Sequence, residues 1–427
     1  MTCSQNAPYA VGFKFFALAL LSSSASADAE FGISFDNEWA HNTHHRQTQK
    51  FETTVTPQLD MPIGRNAQLT LIGRVRHDTQ SHIDISERND SELREFYIES
   101  EIGRTLITVG KQQIVWGKSD GLKVLDVVNP QNWREFILDE FDDSRIPLWS
   151  ANIEIPIQAF NLQLLWLPDQ TYHDFADNGD AYQLVTPTRV PQAPSGVSVN
   201  VQDEIKPDNT IQDADWGMRL STFKSGWDMS FNYLYHYDDT PVLYRQLAMT
   251  GSGPLATLTP RYERSHLIGA SFSTAIDDIT LRSELGYSTD RYTANTDVND
   301  NDGVTNSRDI TYVLGLDWFG VEDMFISGQL FQSHLLDHQP GMIREQTETT
   351  VTLLIKQNFL NETLSAEVLA LRSLDLNDGL IRPNVSYQVN DEISVSIGAD
   401  IFYGDNQGLF GQFDKQDRIT SAIKIAL

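Results

Sequence analysis

The chain has 427 residues, with 59 acidic side chains against 31 lysines and arginines and a formal charge of −28. That balance excludes nucleic acid as a partner, because binding to phosphates needs a basic face. With Cys3 as the only cysteine, a disulfide framework and a cysteine-based metal site are excluded as well.

Near the N-terminus, Val11 to Leu21 is a short apolar run beside Lys14, followed by Ala25-Ser26-Ala27. Charge, apolar run and small residues in that order predict a signal peptide over residues 1–27, with Ala27-Asp28-Ala29 as a second cleavage site. Export removes Cys3 and Lys14, so the mature chain carries −29. No later apolar run approaches the length of a membrane helix. A β-barrel stays open, because only alternate residues of each strand need be apolar.

Alternation begins at once and persists. Phe31, Ile33, Phe35 and Trp39 interleave with Ser34, Asp36 and Glu38. Phe51, Val55 and Leu59 form the second run; Leu69, Leu71 and Val75 have Arg74 and Arg76 on the other face, Phe96, Ile98 and Ile102 alternate with Glu95, Glu99 and Glu101, and Ile107 and Val109 continue the series as the fifth. Trp149 to Ile157 and Phe160 to Trp166 follow, then Trp216 to Leu220 and Trp227 to Tyr237. The pattern runs on through Ile268–Phe272, Ile279–Tyr287, Ile310–Trp318, Met324–Leu330, Val351–Phe359, Leu364–Ala370, Ile381–Val389, Ile393–Tyr403 and Ile419–Leu427. These make about 18 strands (16–18) of roughly ten residues, the length of a tilted strand crossing a bilayer. Every second connection is a tight turn and those between are longer and polar, as in an outer-membrane barrel. The predicted fold is all-β: a transmembrane antiparallel β-barrel, with residues 28–427 as one domain. Trp166, Tyr233, Tyr235, Tyr237, Tyr287 and Tyr403 gather at strand ends, where an interfacial girdle is expected.

One stretch breaks the alternation. After the fifth strand, Asn129 and Pro130 provide a helix cap and first position, and Trp133, Phe136, Ile137 and Phe141 recur at helical spacing. The spacing predicts a helical insert, and connections this long are commonly functional. Left in water, its large apolar side chains would cost about 1.5–3 kcal/mol each. Folding into the barrel mouth hides them, so residues 116–147 are expected to form an inward-folded constriction or plug, lined by Lys118, Asp120, Lys123, Arg134, Asp139, Asp142, Asp143 and Arg145. A lid standing above the barrel is the alternative. The expected pore wall includes Arg74, Arg76, Glu95, Glu99, Glu101, Arg282 and Glu284, with the arginines of the third strand opposite glutamates of the fourth.

The run GKQQIVWGKSDGLKVLDVVNP, followed by an acidic stretch and DDSRIPLW, resembles a family of proteobacterial outer-membrane barrels of unknown function that are described as porin-like. The match is specific over Val109 to Trp149 and is one of pattern elsewhere. An insert after the fifth strand is similar to that of general and substrate-specific porins. The resemblance implies a Gram-negative outer-membrane location, surrounding membrane lipid and lipopolysaccharide, the outer-membrane assembly machinery as a partner, and a single barrel or a homo-oligomer.

Other chemistry finds less support. Asp297 to Gly303 is rich in aspartate, but its glycine is out of register for a calcium loop and the bidentate glutamate is missing. His41, His44 and His45 share one polar loop, which an exposed loop explains without a metal. Ser265 and His266 are adjacent and so point to opposite faces of a strand, which defeats a nucleophile–base pair. No cofactor and no metal are expected. The reading is a passive channel for small hydrophilic solutes. The alternatives are a receptor or adhesin acting through acidic outer loops and, further off, a lipid hydrolase.

Overall fold

The computed structural model describes residues 29–427 other than 81, 85–87, 118 and 120, so the expected signal peptide lies outside the described residues, as do Lys118 and Asp120. Strands β1 to β6 are Glu30–Asn42, Gln47–Ile63, Ala67–Asp78, Asn89–Ile102, Thr105–Gln112 and Leu148–Ile157. Strands β7 to β12 are Phe160–Leu167, Asp215–Lys224, Trp227–Tyr237, Arg264–Ile276, Ile279–Ala294 and Val304–Trp318. Strands β13 to β18 are Met324–Leu335, Thr347–Phe359, Leu364–Ser373, Gly379–Gln388, Ile393–Tyr403 and Arg418–Ala426. Each pairs antiparallel with its chain neighbours, and β18 returns to β1 with Asn37 opposite Ile423, which closes an 18-stranded barrel.

Side-chain sorting is the reverse of a water-soluble protein. On β9, Ser230 and Asn232 are buried while Phe231 between them is exposed; on β11 Glu284 is buried and Leu285 exposed; on β17 Asp400 is buried and Ile401 exposed. Polar residues facing inward and apolar ones facing outward along such strands is the pattern of a wall standing in lipid. Among the described residues no helix is long and apolar enough to cross a membrane.

One rim carries turns of two to five residues, such as 103–104, 225–226 and 319–323. At 225–226 both Ser225 and Gly226 have positive φ (54° and 82°), the conformation of the two-residue hairpins that suit twisted strands. The opposite rim carries the long connections 79–88, 113–147, 168–214 and 238–263. The last two of these share a small three-stranded sheet: Ser198–Val201 lies parallel to Gly253–Arg261, which forms a hairpin with Val242–Thr250.

The insert stands where the sequence places it, after β5, but its helix does not form over 130–141. Helix α1 is a single turn, Phe141–Ser144. Asn129 caps nothing: its Oδ1 accepts the Ile114 amide at 2.7 Å and its Nδ2 donates to the Ile146 carbonyl at 2.9 Å, tying the two ends of the insert together. Asn132 Oδ1 takes the Arg134 amide at 3.0 Å, an Asx turn that competes with helix, and Phe136 has a φ of 57°. Trp133 packs on His173 and Phe175, whereas Phe136 packs on Phe410 and Phe413. Trp133 and Phe136 also meet edge to face at 5.8 Å across a single turn closed by the Phe136 amide and the Trp133 carbonyl at 2.9 Å, so the shared spacing reflects that turn and one common cluster, not a helical stripe.

Candidate functional site

The insert reaches the wall in several directions. On one side Arg134 makes a bidentate pair with Glu52 of β2, at 2.9 and 3.0 Å. Glu135, 1% exposed, accepts from Lys50 of β2 at 2.6 Å and from Arg418 of β18 at 2.7 Å. Arg418 continues to Asp400 at 2.7 Å, Asp400 pairs with Arg382 at 2.8 Å, and Arg382 donates to the Leu138 carbonyl at 2.7 Å. Burial alone would raise the Glu135 carboxyl, but Lys50, Arg418 and Arg134 hold it well below the usual carboxylate range. On the other side the Leu125 amide donates to Glu284 of β11 at 3.1 Å. Trp116 Nε1 donates to Gln163 of β7 at 2.9 Å.

Two apolar clusters fasten the same segment. Trp116, Val124, Leu125 and Val128 pack with Leu165, Leu234, Leu267, Val313 and Phe331 from β7, β9, β10, β12 and β13. Phe136 and Leu138 pack with Tyr182, Leu371, Leu380, Phe402, Phe410 and Phe413. The wall is dented to receive them. A Cβ at Gly269 would stand 2.5 Å from Leu125 Cδ2, and one at Gly217 would stand 3.1 Å from Trp116 Cη2.

The expected constriction residues divide into two groups. Arg134, Lys123 and Arg145 are engaged within the insert and with the wall: Arg145 pairs with Asp126 at 2.9 Å, and Lys123 pairs with Asp126 at 3.3 Å and donates to Gln131 at 2.5 Å. Burial pushes the Lys123 ammonium down to about 8, against the pull of Asp126. Asp142 and Asp143 are exposed on α1, and Asp142 also meets Arg145 at 2.5 Å. Asp139 is half-buried; burial and the neighbouring Glu135 raise its carboxyl.

Of the expected wall residues, Arg74 meets Glu92 at 2.6 Å and Arg76 meets Asp90 at 2.9 Å, both on β4. These are not Glu95, Glu99 or Glu101. A bulge between Ile72 and Gly73 shifts the register, so Ile72 faces Glu95 while Gly73 faces Leu93. The displaced residue is Arg94, which is buried and donates to the carbonyls of Asp142, Asp143 and Arg145, gripping the end of α1. Glu95 accepts from Gln113 at 3.0 Å, Glu99 faces Thr108, and Glu101 is exposed near the short-turn rim. Arg282 pairs with Asp317 at 2.8 Å. Lys50, Glu52, Arg94 and Arg382 were absent from the expected site. The first two stand on the polar side of an alternating strand and were legible there; the bulge hid Arg94.

The side candidates resolve too. Arg245 donates to the carbonyls of Asp297 and Asp300, at 2.6 and 3.3 Å, so a guanidinium occupies the aspartate-rich loop. Ser265 is buried, while His266 bonds Tyr233 at 2.8 Å on the opposite face. Among the described residues no group of three or more His, Cys, Asp or Glu could hold a metal ion.

Solved barrels share this architecture. The outer-membrane protein OpdK of Pseudomonas aeruginosa, solved with vanillate, is similar at a TM-score of 0.54 and 10% identity, over 94% of this chain and 98% of its own. OccK2 (OpdF) of Pseudomonas aeruginosa is similar at 0.54 and 9% identity, over 94% and 97%. OccAB3 of Acinetobacter baumannii is similar at 0.54 and 9%, over 94% and 99%. At such identities the likeness is one of fold. No curated protein matches the chain. Residues 19–388 match a family described as a protein of unknown function, DUF1302. With a match over that much of its length and a closed 18-stranded barrel of the outer-membrane porin type, this chain belongs to the DUF1302 family.

Proposed function

We propose that the protein is a passive outer-membrane channel for small hydrophilic solutes, narrowed by residues 116–147 folded into the barrel. In this reading residues 1–27 are the export leader, and 28–427 are one barrel domain with no catalytic role. The observation that carries it is the double anchorage of the insert, by Glu135 to β2 and β18 and by Leu125 to β10 and β11. A segment fastened at both places crosses the space that the wall encloses. A barrel of this many strands is too wide for wall side chains alone to fill, so whatever passes must pass the insert.

The path has a mixed lining. Arg74, Arg76, Arg94, Arg282 and Lys123 are each engaged by a carboxylate or carbonyl, whereas Glu140, Asp142 and Asp143 are exposed on the insert. Both signs hold water in a hydrated lumen. The solved OpdK structure contains vanillate, a small aromatic carboxylate, and this supports solute passage as the function class without naming the solute here. Planar-bilayer recording tests the reading. The protein should conduct, and a variant lacking residues 118–145 should carry a larger single-channel current. An unchanged current would overturn the constriction. Absence of any current and solute flux would overturn the channel in favour of a receptor or adhesin.

A further inference from the structure

The outward face of β5 ends in a charge. Ile107, Val109 and Lys111 alternate with the buried Thr108 and Gln112, and Val109 is 52% exposed, so Lys111 points away from the barrel axis. In register, Phe96 of β4 and Trp149 of β6 flank it on either side. The two rings stand edge to face with centroids 6.2 Å apart. Lys111 Nζ donates to the Leu93 carbonyl, at the β4 bulge, at 2.8 Å. That uses one of its three protons.

The height of this lysine matters. Trp166, Trp216, Tyr235 and His266 all stand within three residues of the long-loop ends of β7, β8, β9 and β10. Those aromatics belong to the girdle on the long-loop side, and girdles mark the headgroup level. Lys111 and Trp149 are equally close to the long-loop ends of β5 and β6, the level that such a girdle marks. Arg264 and Arg308, near the same rim, each meet a carboxylate, Asp215 and Asp337, both at 2.8 Å. Among the described residues no carboxylate pairs with Lys111; its partner is a neutral carbonyl.

We propose that Lys111, framed by Phe96 and Trp149 on the lipid-facing wall, seats the phosphate of an outer-leaflet membrane lipid. The ammonium supplies charge-assisted donors to the phosphate, and the two rings offer apolar flank to the first carbons of the acyl chains. A phosphorylated amphiphile satisfies both halves, whereas a free phosphate satisfies one. The inference rests on the wall standing in a bilayer and not on conduction, since Lys111 lies on the side of the wall away from the pore.

The test uses full-length protein in detergent micelles, with diphosphorylated lipid A, the same lipid stripped of phosphate, and inorganic phosphate as probes. Wild type should bind the phosphorylated lipid, Lys111→Met about tenfold more weakly, and Lys111→Arg close to wild type. Folding is checked by heat-modifiable gel mobility, and single-channel current should be unchanged in both variants. Equal binding by Lys111→Met overturns the site. Equal binding of the dephosphorylated lipid by wild type overturns the phosphate, and inorganic phosphate binding as tightly as the lipid overturns the lipid. Should Lys111→Met not fold, the probe comparison on wild type decides.

Discussion

Glu135→Gln removes the carboxylate that Lys50, Arg134 and Arg418 share at 2.6, 3.2 and 2.7 Å. Breaking a buried ionic group by deleting one partner costs about 3–5 kcal/mol, because the remaining charges stay buried without compensation. The expected outcome is an insert that detaches while the barrel stays folded. Single-channel records should become noisier with a larger mean current, and trypsin should cut after Lys123 or Arg134 faster than in wild type. Acid should act on the same fastening. His173 Nδ1 accepts the Gln131 amide at 2.8 Å and so must be unprotonated. Burial pushes its imidazolium down to about 4, with Asp238 pulling upward and Lys123 and Arg291 adding to the fall. An imidazole so depressed, against about 6.5 when unfolded, supports the fold fully above that value and loses its contribution as pH falls toward 4. Glu135, held low, contributes above the ordinary carboxyl value and fails only in stronger acid. Gating noise should therefore rise between pH 6.5 and 4. His173→Asn, which offers a carbonyl to the same amide, should flatten that rise, and an unaltered pH profile would remove His173 from the fastening.

At the scale of elements, the insert is held by fit as well as charge, and the fit depends on small wall residues. Gly269→Val places a side chain where Leu125 sits, 2.5 Å from the ideal Cβ position, and overpacking of this kind costs about 1–3 kcal/mol. It should break the bond from the Leu125 amide to Glu284 and raise pore current, whereas Gly328→Val, with open space around its Cβ, should leave the current as it was. The strands were legible in the sequence because a period of two is set by the backbone itself, so Phe231 and Asn232 fall on opposite faces whatever surrounds them. The helix over 130–141 was misread because Trp133 and Phe136 meet across one isolated turn and are held there by Phe175 and Phe410, without further helical turns. Those partners come from connections tens of residues away, and no local pattern announces them. Arg94 was invisible for a related reason: a bulge alters the face count, and only the pairing of Gly73 with Leu93 reveals it.

For the whole molecule the governing question is which medium each face meets, and this separates a barrel in lipid from a wide soluble sheet. Ile397 of β17 is 59% exposed, while Ser396 beside it points inward opposite Ala422 of β18. In a bilayer, arginine on the lipid face costs about 2–4 kcal/mol near the midplane and much less near the rims. Ile397→Arg should lower unfolding free energy by about that amount when measured by urea titration in phospholipid vesicles. Ser396→Arg, facing a hydrated interior, should stay within about 0.5 kcal/mol of wild type. A water-filled exterior would reverse the expectation for Ile397, because an exposed isoleucine replaced by arginine on a soluble sheet costs almost nothing. The difference between adjacent residues, and not either value alone, carries the conclusion. What the incoming arginine brings to a strand is common to both sites. The different β-propensities of the isoleucine and serine it replaces span at most about 1 kcal/mol, so a difference of about 2–4 kcal/mol reports the contrast between acyl chain and water.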